Sequence, residues 1–197
     1  MNLIAISTGA IIGIAVAAVV LLIAVIIICW AIGARNSFVT MKNGCEEGFA
    51  GIDVYLKKRY DLIPNLVETV KGYAKHESET LENVIRARNN SLSANTTAEK
   101  IEADAQLTKE IKNFQMVAER YPDLKANANF LDLSNQLKTI ESQLADQRRY
   151  YNALIKKYNT QRELFPKSII AGMMHLEKMP YFKLDSDEER KNVQVKF

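Results

Sequence analysis

From Leu3 to Ile32 the chain carries no Asp, Glu, Lys, Arg or His, and Ile11–Ile32 holds fourteen Ile, Val and Leu side chains. Twenty helical residues span about 30 Å, the thickness of a bilayer's hydrocarbon core. So β-branched a run makes a poor helix in water, whereas in lipid a helix satisfies its own backbone polar groups. Near the bilayer centre those side chains favour insertion by about 4 to 8 kcal/mol. The pattern predicts a transmembrane anchor within residues 1–34.

Past the anchor, apolar residues recur every three or four positions, which predicts helix almost throughout. Phe38, Met41, Cys45, Phe49, Ile52 and Leu56 share one face of a helix that can run straight on from the anchor. Pro64 biases its predecessor away from the helical region, so a kink or break is expected near Leu62–Ile63. Leu66, Val67, Val70, Ala74, Leu81, Val84 and Ile85 resume the stripe, and the polar stretch Asn89–Asn95 reads as a loop. Thr96 and Glu99 fit a capping box that opens the next helix, which carries Ile101, Thr108, Ile111, Phe114 and Ala118 and stops at Tyr121–Pro122. Asp123, Asn127 and Asn129 are candidate caps for its successor.

The last long helix has the clearest period. Phe130, Leu133, Leu137, Ile140, Leu144, Gln147, Tyr151, Leu154, Tyr158 and Phe165 alternate by three and four, with one slot near Arg162 not apolar. A sustained 3.5-residue repeat means a helix packed side by side with others. Those partners are other helices of this chain or a second copy; an intrachain bundle is preferred, because the remaining helices need this stripe to cover their own. Glu141, Arg148, Asn152 and Asn159 lie on or beside the seam, where buried polar groups more readily fix helix register than perform chemistry. The fold expected is all-α: a single transmembrane helix, an elongated antiparallel bundle over 35–165, and a short irregular or extended tail over 166–197.

Charge refines the anchor's setting. No basic residue precedes the apolar run, which is about twice a signal peptide's usual length, and bulky residues precede Cys29, so an uncleaved anchor is expected. Trp30 suits an interface; Arg35 and Lys42 follow it. The positive-inside bias places the short N-terminus outside and the C-terminal domain in the cytoplasm, at the cell (inner) membrane. Gly9, Gly13 and Ala17, four residues apart, form a candidate self-association face or simply share the usual small-residue content of such helices. The 26 basic and 23 acidic groups nearly cancel, which argues against nucleic-acid binding. Cys29 and Cys45 form no C-x-x-C pair and suggest a reducing compartment.

Catalytic motifs are scarce. His76-Glu77-Ser78-Glu79-Thr80 begins like H-E-x-x-H, but Thr80 stands where the second imidazole belongs, so a catalytic zinc site lacks a ligand. No P-loop, dinucleotide fingerprint or nucleophile elbow occurs. The sequons at Asn89 and Asn95 would be idle on a cytoplasmic loop. No catalytic residue, metal, cofactor, small-molecule substrate or nucleic acid is therefore expected. The segment Lys57, Lys58, Arg59, Tyr60, Asp61, Pro64 and Asn65 has two readings: an architectural bend with Asp61 as a cap, or a surface for a partner or acidic lipid. In the tail, Ile169, Ile170, Met173, Met174, Tyr181 and Phe182 either dock on the bundle or mark an interface. Val193–Phe197 alternates as an added strand would.

Arg59-Tyr60-Asp61-Leu62-Ile63-Pro64-Asn65-Leu66-Val67, with Val70-Lys71-Gly72-Tyr73 and His76-Glu77, resembles the signature of the LemA family. So do Tyr121-Pro122-Asp123-Leu124-Lys125-Ala126-Asn127, Asn129-Phe130, Glu141, Arg148-Arg149-Tyr150-Tyr151-Asn152, Tyr158-Asn159 and Phe165-Pro166. The resemblance spans about residues 36–182 and implies a bacterial single-pass protein with an elongated α-helical domain and no established enzymatic activity. Members are often encoded near a membrane zinc metalloprotease of the HtpX type, and one branch serves magnetosome membranes. Met173-Met174-His175-Leu176 departs from the more aromatic residues of many relatives. The leading expectation is a non-enzymatic membrane-tethered scaffold or adaptor that self-associates and engages a membrane partner through a rigid helical domain. The alternative is a membrane-organising or membrane-shaping array; a metal-dependent regulator of a hydrolase ranks third.

Overall fold

The computed structural model describes residues 8–74 and 76–182. Among the described residues there is no strand, and six helices follow one another: α1 Thr8–Lys71, α2 Ser78–Ser93, α3 Thr97–Glu119, α4 Pro122–Lys125, α5 Ala128–Glu163 and α6 Lys167–Met173. The chain divides into two compact units, Met1–Asn43 with Tyr158–Lys178, and Gly44–Lys157 with Met179–Phe197. Segments of both α1 and α5 contribute to each unit. The alternating segment Val193–Phe197 lies outside the described residues.

In the first unit, α1 begins with the apolar run, and every residue from Gly9 to Trp30 is exposed. It is the one described helix long and apolar enough to cross a membrane. Burial on α1 starts at Ala34 and Phe38, and the Phe38 ring meets Tyr158 of α5 edge-on at 6.4 Å.

The second unit is a four-helix packing of α1, α2, α3 and α5. Gly48 faces Leu154, Gly51 faces Gln147, and Arg59 pairs with Glu141, so residue numbers fall on α5 as they rise on α1. The two helices are antiparallel, and the α5 stripe is covered within the chain. A Cβ at Gly48 would lie 2.8 Å from Leu154 Cδ1, so a larger residue there would require the end of the Leu154 side chain to shift. Ile63, Leu66, Val84, Ile111, Phe114 and Leu137 surround a residual space of only about 10 Å³, which marks a close-packed core.

Two local expectations are corrected. The helix does not break at Pro64: α1 runs through it to Lys71. Proline has no N–H to donate to the carbonyl four residues back, here Tyr60. The Arg88 side chain of α2 supplies the missing donor, its Nε donating to the Tyr60 carbonyl at 2.7 Å. Asp61 is therefore an exposed mid-helix residue and caps nothing. Nor do Asn89–Ser93 form a loop, since α2 extends to Ser93. Its buried Ser91 hydroxyl donates to the Ala87 and Ala103 carbonyls (3.0 and 3.3 Å), which lets a polar residue sit between α2 and α3.

Other signals hold. The Thr96 hydroxyl accepts from the Glu99 N–H while the Glu99 carboxylate accepts from the Thr96 N–H, completing the capping box. The N–H groups of Thr96 and Asn95 hold the Glu99 carboxyl below its ordinary pKa. Asn127 Oδ1 accepts from the Phe130 N–H at 3.0 Å at the start of α5.

The 166–197 segment does not begin irregularly, because α6 precedes the extended part. The Leu176 N–H bonds to the Ala171 carbonyl and the His175 N–H to the Gly172 carbonyl, both at 3.0 Å. With His175 left-handed at φ 51°, this is a Schellman stop, a place usually taken by glycine.

The Pro64–Arg88 account predicts coupled energetics. Arg88→Ala should destabilise the fold by about 1–3 kcal/mol by orphaning a partly buried carbonyl. In a Pro64→Ala background, where the helix supplies its own donor, the same change should cost clearly less. A double-mutant cycle by chemical denaturation checks this, and additivity of the two changes refutes it.

Candidate functional site

Four charged side chains of the second unit, Arg59, Asp104, Glu141 and Arg148, converge inside it. Arg59 is wholly buried on α1. Its Nη1 donates to Asp104 Oδ1 of α3 at 2.8 Å, its Nη2 to Thr108 Oγ1 at 2.9 Å, and its Nε lies 2.9 Å from Glu141 Oε1 of α5. Arg148 of α5 pairs with the second oxygen of Asp104. Two guanidiniums and two carboxylates thus balance in charge at the junction of three helices. Breaking one partner of such a buried pair strands a charge, typically at a cost of about 3–5 kcal/mol.

Each member occupies an inward slot of its helix. Arg59 follows Ile52 and Leu56 and precedes Ile63; Asp104 lies between Ile101 and Thr108. Asp104 and Arg88 are the residues that reading the sequence missed; Thr108 stood on the expected packed face, but not as a partner of Arg59. The available signal was a charged or polar residue in a slot that the apolar stripe would otherwise fill.

Arg148 continues into an aromatic nest. Its guanidinium lies 5.5 Å from the Phe182 ring, which stacks on Phe49 at 6.0 Å and meets Tyr151 edge-on at 5.7 Å. Asn152 holds the same residue by its backbone: Asn152 Nδ2 donates to the Phe182 carbonyl and the Phe182 N–H donates to Asn152 Oδ1, both at 2.9 Å. The Tyr151 hydroxyl donates to the Pro180 carbonyl at 3.3 Å. Burial pushes the phenols of Tyr60 and Tyr151 up to about 12; the negative charge of Asp104 acts in the same direction on Tyr60, as does that of Cys45 on Tyr151 once its thiol has ionised.

The sequence-selected residues are distributed as follows. Gly9, Gly13 and Ala17 share an exposed face of the apolar run, with open space beside both glycines. The Lys57–Asn65 set does not form one surface. On an unbroken helix Lys57, Lys58, Asp61 and Asn65 point outward while Arg59 and Tyr60 turn into the core, because spacings of three and four put the first set on one face and align Arg59 and Tyr60 with Leu56 and Ile63 on the other. Glu141 and Arg148 join the ionic junction, Asn152 binds the tail, and Asn159 is buried. Of the tail set, Ile170 and Phe182 are buried and Met174 half-buried, whereas Ile169, Met173 and Tyr181 are exposed. His76 and Glu79 are exposed; Glu77 is tied to Arg120 at 2.9 Å.

One large concavity lies between the end of α1 and α2, about 810 Å³ in volume. Val67, Ala74, Leu81 and Ile85 line it, with Lys71 and Glu82 also among its walls. Among the described residues no three His, Cys, Asp or Glu side chains gather as metal ligands would. The concavity offers apolar area bordered by charge, an arrangement suited to holding another molecule's surface.

Two outcomes test this arrangement. Asp104→Ala should destabilise the fold by about 3–5 kcal/mol, with much of the loss recovered when Arg59 and Arg148 are also made Met; denaturation midpoints report both, and an Asp104→Ala protein as stable as wild type overturns the junction. The phenols contribute stability that is complete below pH 10 and is lost as pH rises from 10 toward 12, since their folded pKa values exceed the unfolded ones. Replacing Tyr60 and Tyr151 by Phe should flatten that alkaline decline in a denaturation series.

Comparison with known proteins agrees with this architecture. Residues 48–197 match the model of the LemA family. Protein LemA of Metamycoplasma hominis is 24% identical over 165 residues, covering 82% of this chain and 74% of that protein. The chain therefore belongs to the LemA family.

Proposed function

We propose that this protein is a non-enzymatic, membrane-tethered adaptor, with α1 inserted in the cell membrane and the helical domain on the cytoplasmic side. It works by contact. The observation that carries this reading is the groove between α1 and α2, whose apolar residues and charged neighbours suit an amphipathic partner helix. The charges that would otherwise suggest chemistry are engaged in holding helices together. The partner proposed is a membrane metalloprotease of the HtpX type, which the family resemblance suggests. Self-association through the face bearing Gly9, Gly13 and Ala17, where small residues permit close backbone approach, belongs to the same proposal.

Two measurements test it. A photo-crosslinking side chain at Val67, with the full chain and a purified metalloprotease of that type in one vesicle, should give an adduct of summed mass. Reversing both Lys71 and Glu82 should weaken that adduct, and its absence from wild type removes the proposed partner. Light scattering on the detergent-solubilised protein should return a multiple of the subunit mass that falls for Gly13→Ile; a single-subunit mass for wild type ends the self-association claim.

A further inference from the structure

The first unit carries apolar surface that its own packing does not use. At the corner between α5 and α6, Leu164, Phe165, Ile169 and Met173 are exposed, Phe165 by 81% and Met173 by 73%. This is not a loosely folded end. Ile170 and Ala171 of α6 are buried, the Schellman bonds close the helix, and Arg162 Nε donates to the Leu176 carbonyl at 2.7 Å. Phe165, Ile169 and Met173 are spaced by four, and Ile169 and Met173 share a side of α6 distinct from that of Ile170 and Ala171.

The height of this corner on α1 follows from the packing inside the unit. Tyr158 lies against Phe38. Ala34, one turn nearer the apolar run, is also buried, and the segment after Tyr158 is what this unit has to cover it. The chain therefore heads toward the apolar run as it leaves Tyr158. Five residues on, at Glu163, it has climbed about 7.5 Å at 1.5 Å per residue. The same distance back from Phe38 reaches Gly33, next to Ile32 where the apolar run ends. Leu164 and Phe165 come next, level with the end of the run that bears Trp30. Arg35, Lys42, Lys167 and Lys178 in the same unit outnumber Glu163 and Glu177, as suits a surface beside anionic headgroups.

We infer that the Leu164, Phe165, Ile169 and Met173 corner is a second membrane contact, a shallow apolar wedge in the interfacial layer of the bilayer that α1 crosses. The occupant is lipid because the patch lies level with the end of the apolar run and beside a basic excess, and partial burial at the headgroup boundary is the ordinary state of such a face. The inference rests on α1 spanning the membrane, and the test separates the two.

The full chain, whose one tryptophan is Trp30, is reconstituted in phosphatidylcholine–phosphatidylglycerol vesicles with or without brominated acyl chains. Two further proteins carry Trp30→Phe with either Phe165→Trp or Met116→Trp, the latter at an exposed apolar site of the second unit. Bromolipid should quench Trp30 and the indole at 165 to comparable extents and leave the indole at 116 bright. Quenching of Trp30 without quenching at 165 overturns the wedge and leaves the anchor standing. Bright emission from both Trp30 and position 165 overturns the anchor itself. Quenching at 116 equal to that at 165 removes the corner's distinction. An indole at 165 that escapes bromine but shifts to the blue with rising protein density assigns the patch to a second copy instead.

Discussion

Asp104 sits where three helices of the second unit meet, and it receives a guanidinium on each carboxylate oxygen. A buried charge tolerates little displacement, because its solvation must be replaced by partners at hydrogen-bond distance. Sliding α1, α3 or α5 by one turn would move a partner by about 5 Å and strand at least one ion. The junction thus sets the register in which apolar stripes meet. With Arg59 against Glu141, Gly48 falls opposite Leu154 and Phe49 reaches Tyr151. The aromatic nest that receives Phe182 is a consequence of that register.

A second constraint recurs wherever the helices look irregular. Backbone groups buried away from water must be paired, and here side chains from elsewhere in the unit complete the pairing. Arg88 replaces the donor that Pro64 lacks, and Asn152 serves both the N–H and the carbonyl of Phe182 as a neighbouring strand would. Ser91 returns its hydroxyl to a carbonyl of its own helix and reaches another on α3. Residues that look like breakers or loop formers are thereby kept within packed helices. This also explains why the family-like segment around Pro64 belongs to the architecture of the core on one face and to solvent on the other.

The functional picture follows from where polar chemistry is consumed and where surface is left over. In the second unit the buried ions of the junction face one another, and a large apolar groove lies between α1 and α2. In the first unit the unused surface is the apolar corner after α5, built on a packed α6. Both belong to a LemA-family helical protein, one of whose described helices is apolar and long enough to span a membrane.

Patterns carried by neighbours on one helix were legible in the residues: the apolar run, the all-α class, the capping box at Thr96, the Asn127 cap and the seam from Phe130 to Tyr158. Each depends on interactions within a few residues along the chain, so spacing and side-chain type suffice to reveal it. Continuation through Pro64, the inward turn of Arg59 and Tyr60, the helical state of Asn89–Ser93 and the Asn152–Phe182 clasp were decided only in three dimensions. In each case the stabilising partner is distant in sequence or is a backbone group, and a stripe of apolar positions says which face is buried without naming what meets it. Local periodicity therefore determined the elements, while long-range pairing of buried charges and carbonyls decided their register and which surfaces stayed free.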